Sequence, residues 1–331
     1  MSLQVQSAVN GITTITEYSG LTEKVEWMTE RYDQPGKLTF TCIEEGGASI
    51  DVGSAISFSV DGMLLFKGYV FIVEQNQDGE INYTAYDQLR YLKANASYAF
   101  EAMTLTQIIQ RIAADFGLVC GSLEDTGYAF PCLLKDNTSC LDIIFDALEE
   151  TTLQTGRIFN FFDDGGQLIL REAKNMYVNT LLGDGSLVTD YTHKRDIDSD
   201  TYNRIKLVRP NSETGRADTY VVEDTETQGK WGLLQYYDEV DENLNEAQIE
   251  QMCQAYLQYY NRVLQTISLD SMGVKEVRAG SIIPVKISRI MDLSVSRLLL
   301  VEKATHTFEG DVHTMTVEVK DFQQLGGITY G

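Results

Sequence analysis

The chain has 331 residues, of which 43% are hydrophobic, so it is long enough for two or three domains that each bury a core. Its 49 acidic and 26 basic side chains give a formal net charge of −23, which argues against wrapping around nucleic acid or docking on anionic membranes. The five cysteines form no C-x-x-C pair, which argues against a disulfide framework or a zinc site.

The amino-terminal stretch MSLQVQSAVNGITTITEYSG has neither a basic region nor an apolar region of the kind found in secretory signals. No stretch approaches the run of about 20 apolar residues that a membrane span needs. We therefore expect a chain made in the cytosol and not inserted into a membrane.

The first region, residues 1–96, is predicted to be a small β-barrel. Period-two alternation indicates the strands KLTFTC, AISFSV, LLFKGYVFIVEQ and INYTAYD. The turn from Gln77 to Glu80, with Asp-Gly at its centre, indicates that the last two strands form a hairpin.

The middle region, residues 97–175, is predicted to be an α+β insert. Thr104 and Gln107 have the spacing of a capping box, which predicts a helix running to Phe116. A second helix is expected to begin near Ser139. The stretches RIFNFF and QLILRE, separated by Asp-Asp-Gly-Gly, predict a hairpin.

The third region, residues 176–331, is predicted to be a second β-barrel with one long helix. Asn245 and Gln248 form another capping-box pattern, which predicts a helix over about 245–263. Strands are expected in TYNRIKLVRP, LQTISL, SIIPVKI, SRLLLVEKATHTF and DVHTMTVEVKDF. The predicted fold class is α+β and mainly β, with two related small β-barrels and an inserted α+β domain.

The two predicted barrels contain similar strands. GSAISFSV, beginning at Gly53, matches GSIIPVKI, beginning at Gly280, and the same offset aligns TFT (39–41) with TIS (266–268). One inserted residue then aligns Val-Glu at 73–74 with Val-Glu at 301–302, and both copies end near Tyr-Asp (86–87) or Lys-Asp (320–321). Alternating β-strands also resemble one another by chance, but the preserved order favours a duplication.

Residue types suited to catalysis form no convincing site. Period-two alternation can place His306 and His313 opposite each other, but no third metal ligand accompanies them, so a solvated or packed pair is expected. The acidic pair Asp163-Asp164 and the run from Asp238 to Glu242 resemble glycosidase carboxylates only by proximity in a very acidic chain. We find no P-loop, no G-x-S-x-G and no H-E-x-x-H, and predict no catalytic, cofactor or metal site.

Residues 66–118, FKGYVFIVEQNQDGEINYTAYDQLRYLKANASYAFEAMTLTQIIQRIAADFGL, resemble the XkdQ/YqbQ family of phage and prophage tail proteins. Further matches are LDIIFDALEETTLQTGRIFNFF, YNRIKLVRP and THTFEGDVHTMTVEV. The resemblance extends from about Glu30 to Phe322. The family is similar to the baseplate hub proteins of contractile tails.

The resemblance implies a homotrimer in which each chain contributes two related barrels to a pseudo-sixfold ring. The ring would join a hexameric tail tube protein to a threefold spike protein, and the middle insert would contact other baseplate proteins. The protein would be assembled in the bacterial host cytoplasm and reside in the virion tail baseplate, without enzymatic activity. DNA would only pass through its channel, where acidic side chains would repel phosphates over roughly 8 Å.

Several family-matched residues have expected structural roles. Gly68 is expected at a bulge or a close backbone approach, and Gly53 and Gly280 at equivalent bends. Asp87 is expected to cap the next turn and to pair with Arg90. Core positions are expected for Tyr69, Tyr86, Tyr91 and Leu92.

Two other function classes stay open at this point. A peptidoglycan hydrolase occurs as an extension of related hubs, and because the chain ends soon after Phe322 we expect no such extension here. A carbohydrate-binding module is the other alternative, because small β domains rich in tyrosine often bind glycans.

Overall fold

A computed structural model describes residues 1–9, 12–18, 22–43, 50–77, 79–211, 215–290 and 293–321. The chain is mainly β, as predicted. Asp78 of the predicted hairpin turn and Phe322 lie outside the described residues, but the strands on either side of that turn do pair as a hairpin. The first strands are β1 (Ser2–Val9), β2 (Ile12–Glu17), β3 (Thr22–Glu30), β4 (Lys37–Ile43), β5 (Ala55–Val60), β6 (Met63–Gln75) and β7 (Glu80–Tyr86).

Alternation along β5 turns every second side chain into the core, as a period-two strand requires. The two-residue connection from β5 to β6 is Asp61-Gly62, whose φ angles of 48° and 77° match the type I′ turns preferred in hairpins. Local sequence therefore determines the β5–β6 and β6–β7 hairpins.

The middle region contains the two predicted helices and the predicted hairpin, together with three strands that the sequence did not predict. Its elements are β8 (Asn95–Thr104), α1 (Leu105–Asp115), β9 (Cys120–Leu123), β10 (Ala129–Ser139), α2 (Cys140–Thr155), β11 (Phe159–Asp163) and β12 (Leu168–Glu172). Thr104 and Gln107 form the predicted capping box, and Ser139 caps α2. The strands missed were β8, β9 and β10; β8 pairs with β10, and β9 adds in parallel to the β11–β12 hairpin.

The last region contains two separate sheets. Its elements are β13 (Leu182–Gly183), β14 (Val188–Asp196), β15 (Arg204–Asn211), β16 (Arg216–Glu223), α3 (Thr225–Trp231), β17 (Gln235–Glu239), α4 (Glu246–Tyr260), β18 (Leu264–Met272), β19 (Ile282–Ile290), β20 (Leu293–Glu309) and β21 (Val312–Asp321). The capping box of Asn245 and Gln248 begins α4 as predicted, but the helix ends at Tyr260. It packs on the three-stranded β16-β15-β17 sheet with its own apolar cluster, apart from the main sheet.

The main sheet contains two sets of strands in the same spatial order. The order in the first set is β3-β4-β7-β6-β5-β1, and in the second set it is β14-β18-β21-β20-β19-β13. The two orders correspond strand for strand, although β1 lies antiparallel to β5 whereas β13 lies parallel to β19. The predicted internal repeat is therefore present in the topology.

The predicted pair of closed barrels stays a prediction. Pairing of β20 with β3 joins both sets into one thirteen-stranded sheet, and no closed barrel is found among the strands that the structure describes. Each set nevertheless packs around a separate apolar cluster. The first cluster includes Phe40 and Phe58, with Phe308 added from β20, and the second includes Ile283 and Val317.

Candidate functional site: the joint between the strand sets

The joint between the two sets is built on a single long strand, β20. Its first half pairs with β19, and its second half, from Lys303 to Glu309, pairs antiparallel with β3 along the same edge. The change of neighbour occurs at Glu302, whose carbonyl accepts a hydrogen bond from the Arg31 amide at 2.9 Å. One strand thus belongs to the second set and also continues the first.

Identical backbone bonds precede this point in both sets. A glycine with positive φ, 83° in the first set and 90° in the second, donates its amide to a valine carbonyl at 2.8 Å. The serine after each glycine accepts the amide of the same valine at 2.9 Å. These residues are Gly53, Ser54 and Val70 in the first set and Gly280, Ser281 and Val301 in the second.

A β-bulge follows the valine in both sets. The register shifts between Val70 and Ile72 and, equivalently, between Val301 and Lys303, so Phe71 and Glu302 are the corresponding extra residues. The predicted match of Val73 with Val301 is therefore wrong, because the structural equivalent of Val301 is Val70.

The predicted alignment was also displaced in β4. Leu38 lies opposite Ala85 and Ile267 lies opposite Val319, which makes Leu38 the counterpart of Ile267. The sequence match had placed the counterpart of Ile267 two residues later, at Phe40. A displacement of two residues preserves the alternation of buried and exposed positions, so the sequence pattern cannot detect it.

A buried ion pair spans the joint at the bulge. The Arg31 guanidinium donates to Glu302 Oε1 at 2.7 Å and to Asn160 Oδ1 at 2.7 Å, and only 3% of the Arg31 side chain is exposed. Asn160, on β11, donates in turn to the Gly280 carbonyl at 3.2 Å. The contact therefore ties the first set, the middle region and the second set together.

Burial alone would raise the pKa of Glu302, but the nearby Arg31 and Lys320 outweigh that effect and hold the pKa below its ordinary value. The pair is therefore ionised at neutral pH. Removing one partner of such a buried pair leaves an uncompensated charge, which typically costs about 3–5 kcal/mol.

A second polar group lies beside this pair. Asp87 accepts the amide of Gly36 at 2.8 Å and that of Leu89 at 3.0 Å, which confirms its role as a cap. Burial and the neighbouring Asp163 raise the pKa of Asp87 well above its usual range. Burial also raises the pKa of Asp163 to about 6, and Arg278 contacts its backbone carbonyl at 2.9 Å. This group locks the middle region onto both sets.

His306 and His313 form a packed pair, which is one of the two arrangements that the sequence left open. His306 Nε2 donates to the Val277 carbonyl at 2.8 Å, so its Nδ1 accepts from His313 Nε2 at 2.9 Å. The His306 ring stacks on Trp27 of β3 with 5.0 Å between ring centroids. Burial lowers the pKa of His306 to about 4, so it is a neutral packing residue of the joint.

Other family-matched residues have mixed outcomes. A Cβ at Gly68 would collide with the Tyr86 carbonyl, which confirms the close approach predicted there. Arg90 makes no ion pair with Asp87 in the described part of the chain; its guanidinium lies 5.4 Å from the Phe71 ring centre. Tyr91 is 40% exposed, so its predicted core position is wrong, although its ring contacts that of Tyr69.

Sequence reasoning missed the residues that form the joint, because their partners are distant in the chain. Arg31, Asn160, Arg278 and Glu302 belong to no local motif. A corrected repeat alignment would have marked Glu302 as the bulge counterpart of Phe71. Among the described residues, no group of three or more potential ligands has the geometry to hold a metal, and no helix is long and apolar enough to cross a membrane.

Comparisons with known proteins agree with this architecture. The model of the YQBQ-like family matches residues 25–320. The phage-like element PBSX protein XkdQ of Bacillus subtilis is 32% identical over 305 residues, which cover 90% of this chain and 91% of XkdQ.

Solved structures share the fold at low sequence identity. The 43 kDa tail protein of prophage MuSo2 from Shewanella oneidensis has a TM-score of 0.72 at 16% identity, covering 98% of this chain and 100% of that chain. The E. coli c3393 protein, described as a type VI secretion component similar to the T4 tail proteins gp27 and gp5, has a TM-score of 0.53 at 12% identity. The match covers 92% of this chain and 75% of the c3393 chain.

Proposed function

Because this chain belongs to the YQBQ-like family and has the fold of phage tail proteins, we propose that it is the baseplate hub of a phage-like contractile tail. Three copies form a ring with pseudo-sixfold symmetry between a hexameric tail tube protein and a threefold spike protein. The role is structural, without catalysis or a cofactor, and the ring resides in the tail baseplate of the virion.

The observation that carries this proposal is the matching strand order of the two sets. A single domain per chain would give a trimer only three docking surfaces, whereas a tube of sixfold symmetry presents six. Two similar strand sets in each of three chains supply six nearly equivalent surfaces. Each set corresponds to a tube-type barrel domain that becomes complete in the ring.

The proposed domains are the first set within residues 1–96, the insert over 97–175 and the second set within 176–331. Strand β8 begins at Asn95, so it crosses the first border by two residues and belongs with the insert. The insert and the β16-β15-β17 sheet with α4 form sheets of their own beside the main sheet, and their outer faces would bind other baseplate proteins.

Strong negative charge suits a channel through which DNA passes. With a net charge of −23, acidic side chains that face the lumen would repel phosphates within roughly one Debye length, about 8 Å at physiological salt. Lysine substitutions at lumen-facing acids would then slow DNA ejection.

The experiment is reconstitution of the full chain with its tail tube and spike proteins, followed by light scattering and electron microscopy. We expect a ring whose mass is three times the 37.2 kDa of one chain and which binds both partners. A chain that stays monomeric in the presence of both partners overturns the proposal. Digestion of peptidoglycan or specific glycan binding by the isolated chain would instead support one of the two alternatives.

A further inference from the structure

The repeat of the strand order implies a second possible joint, equivalent to the one between β20 and β3, that a single chain does not form. Strand β20 uses the edge beyond its bulge to pair with β3. Strand β6 of the first set corresponds to β20 of the second set, and β14 of the second set corresponds to β3 of the first set. The chain therefore also carries the two strands for a second joint, in β6 and β14.

Each of these strands has a segment with an edge to which no described strand pairs. Strand β5 and the Gly53-Ser54 bend before it cover one edge of β6 as far as Val70. Among the described strands, residues 72–74 of β6 then pair with β7 alone. Strand β14 ends the main sheet, and its residues 194–196 pair with β18 alone among the strands that the structure describes. Ile72 and Val73 are 41% and 37% exposed on the uncovered segment, and an exposed apolar edge strand is a template for pairing with another chain.

We infer that β6 of one copy pairs antiparallel with β14 of a second copy, repeating the joint between β20 and β3. This inference rests on the proposed ring and names the surface that closes it. The internal pair of Ala304 with Thr29 fixes the register. Its counterpart places Val73 opposite Arg195 of the second copy.

The correspondence that gives this register comes from pairing alone. Trp27 lies opposite Leu38 in the first set, and His193 lies opposite Ile267 in the second. Because Leu38 and Ile267 are counterparts, Trp27 corresponds to His193. Counting along the strands, Thr29 then corresponds to Arg195.

Side chains at the predicted contact are complementary. Glu74 lies opposite Lys194 of the second copy, and both side chains are exposed in the single chain. At the bulge, Phe71 takes the place of Glu302, and Ile197 of the second copy takes the place of Arg31. The ion pair of Arg31 with Glu302 inside the chain thus corresponds to an apolar pair between chains. The side chains that face each other at the bulge are therefore complementary in both joints.

The direction of the two joints makes a closed ring possible. In the internal joint, the bulged strand of the second set meets the outer strand of the first set. In the inferred joint, the bulged strand of the first set meets the outer strand of the second set in the next copy. Every step around the assembly therefore uses the same head-to-tail relation, and such a relation gives a ring when its rotation closes.

The test is a disulfide between Val73→Cys and Arg195→Cys in the full chain, with Cys120 and Cys132 replaced by Ser because both are partly exposed. Directly opposite residues of antiparallel strands have the Cα separation that a disulfide needs. We expect oxidation of the assembled ring to give covalent dimers and trimers on a non-reducing gel.

Two controls separate register from mere proximity. The pair Val73→Cys with Lys194→Cys should link poorly, because neighbouring strand positions point to opposite faces. Each single cysteine variant should give no trimer. A ring that forms with both partners but is not linked by the first pair overturns this interface and leaves the proposed function intact. A chain that is monomeric with both partners overturns the ring and the interface together.

Discussion

Glu302→Gln is expected to destabilise the joint by about 3–5 kcal/mol, the usual cost of leaving one charge of a buried pair without its partner. The Arg31 side chain is only 3% exposed and lies 2.7 Å from Glu302. The other side-chain acceptors of the Arg31 guanidinium, Asn160 Oδ1 and the Tyr32 hydroxyl, are neutral and do not compensate its charge.

Urea unfolding followed by the fluorescence of Trp27 would measure this loss, because Trp27 is buried in β3 and stacks on His306 of β20. A Trp231→Phe background removes the other tryptophan. The matched control is Glu226→Gln, which breaks the exposed pair with Lys230 and should leave the midpoint unchanged.

The double variant Arg31→Met with Glu302→Leu sharpens the test. It removes both buried charges, so its cost should be well below that of Glu302→Gln. The cost of Glu302→Gln should also shrink as pH falls. The folded-state pKa of Glu302 lies below its ordinary value, so its ionic contribution is complete above the unfolded pKa and is lost as pH falls through the folded pKa. If Glu302→Gln lowers the free energy of unfolding by less than about 1 kcal/mol at neutral pH, this ion pair is not the main polar contact that stabilises the joint.

Three further predictions concern other parts of the same structure. Burial lowers the pKa of His306 from 6.5 to about 4, so the contribution of neutral His306 to the free energy of unfolding should be complete above pH 6.5 and fall by roughly 3 kcal/mol as pH decreases towards 4. His306→Gln should flatten this pH dependence in urea titrations. An unchanged profile would contradict the prediction. Gly68→Ala should lower the melting temperature, because the added Cβ meets the Tyr86 carbonyl. Gly229→Ala in helix α3, with open space around it, should be neutral or stabilising by up to about 1 kcal/mol. Equal effects of the two substitutions would argue against the close approach at Gly68. Glu74→Lys should weaken ring assembly, measured by light scattering, and addition of Lys194→Glu should restore it. A double variant that assembles no better than Glu74→Lys alone would speak against contact of these two residues across chains.

Local patterns along the chain determined much of the secondary structure. Capping boxes at Thr104 and Asn245 begin their helices as expected, because both partners of each box lie within one turn of the chain. The hairpin of β6 and β7 and that of β11 and β12 also follow from alternation and turn residues. The repeat of the glycine bend is visible for the same reason, since each bend is a short continuous stretch.

Pairings between distant strands were beyond what such patterns determine. The sequence alignment of the two sets was displaced by two residues in β4, and a displacement by one full period leaves every side chain on its original face. Strands β8 and β10 were missed because much of each strand is exposed, so neither shows a clear apolar face. Tyr91 was misplaced because its exposure depends on what packs over it.

The sequence by itself determined the mainly β class, the helix starts and the presence of two related strand sets. Only the tertiary structure decided that β20 joins those sets into one sheet, and that Arg31, Asn160 and Glu302 meet at the joint. Short-range signals depend on neighbours within a few residues. The joint depends on contacts between residues more than a hundred positions apart, which become neighbours only after folding.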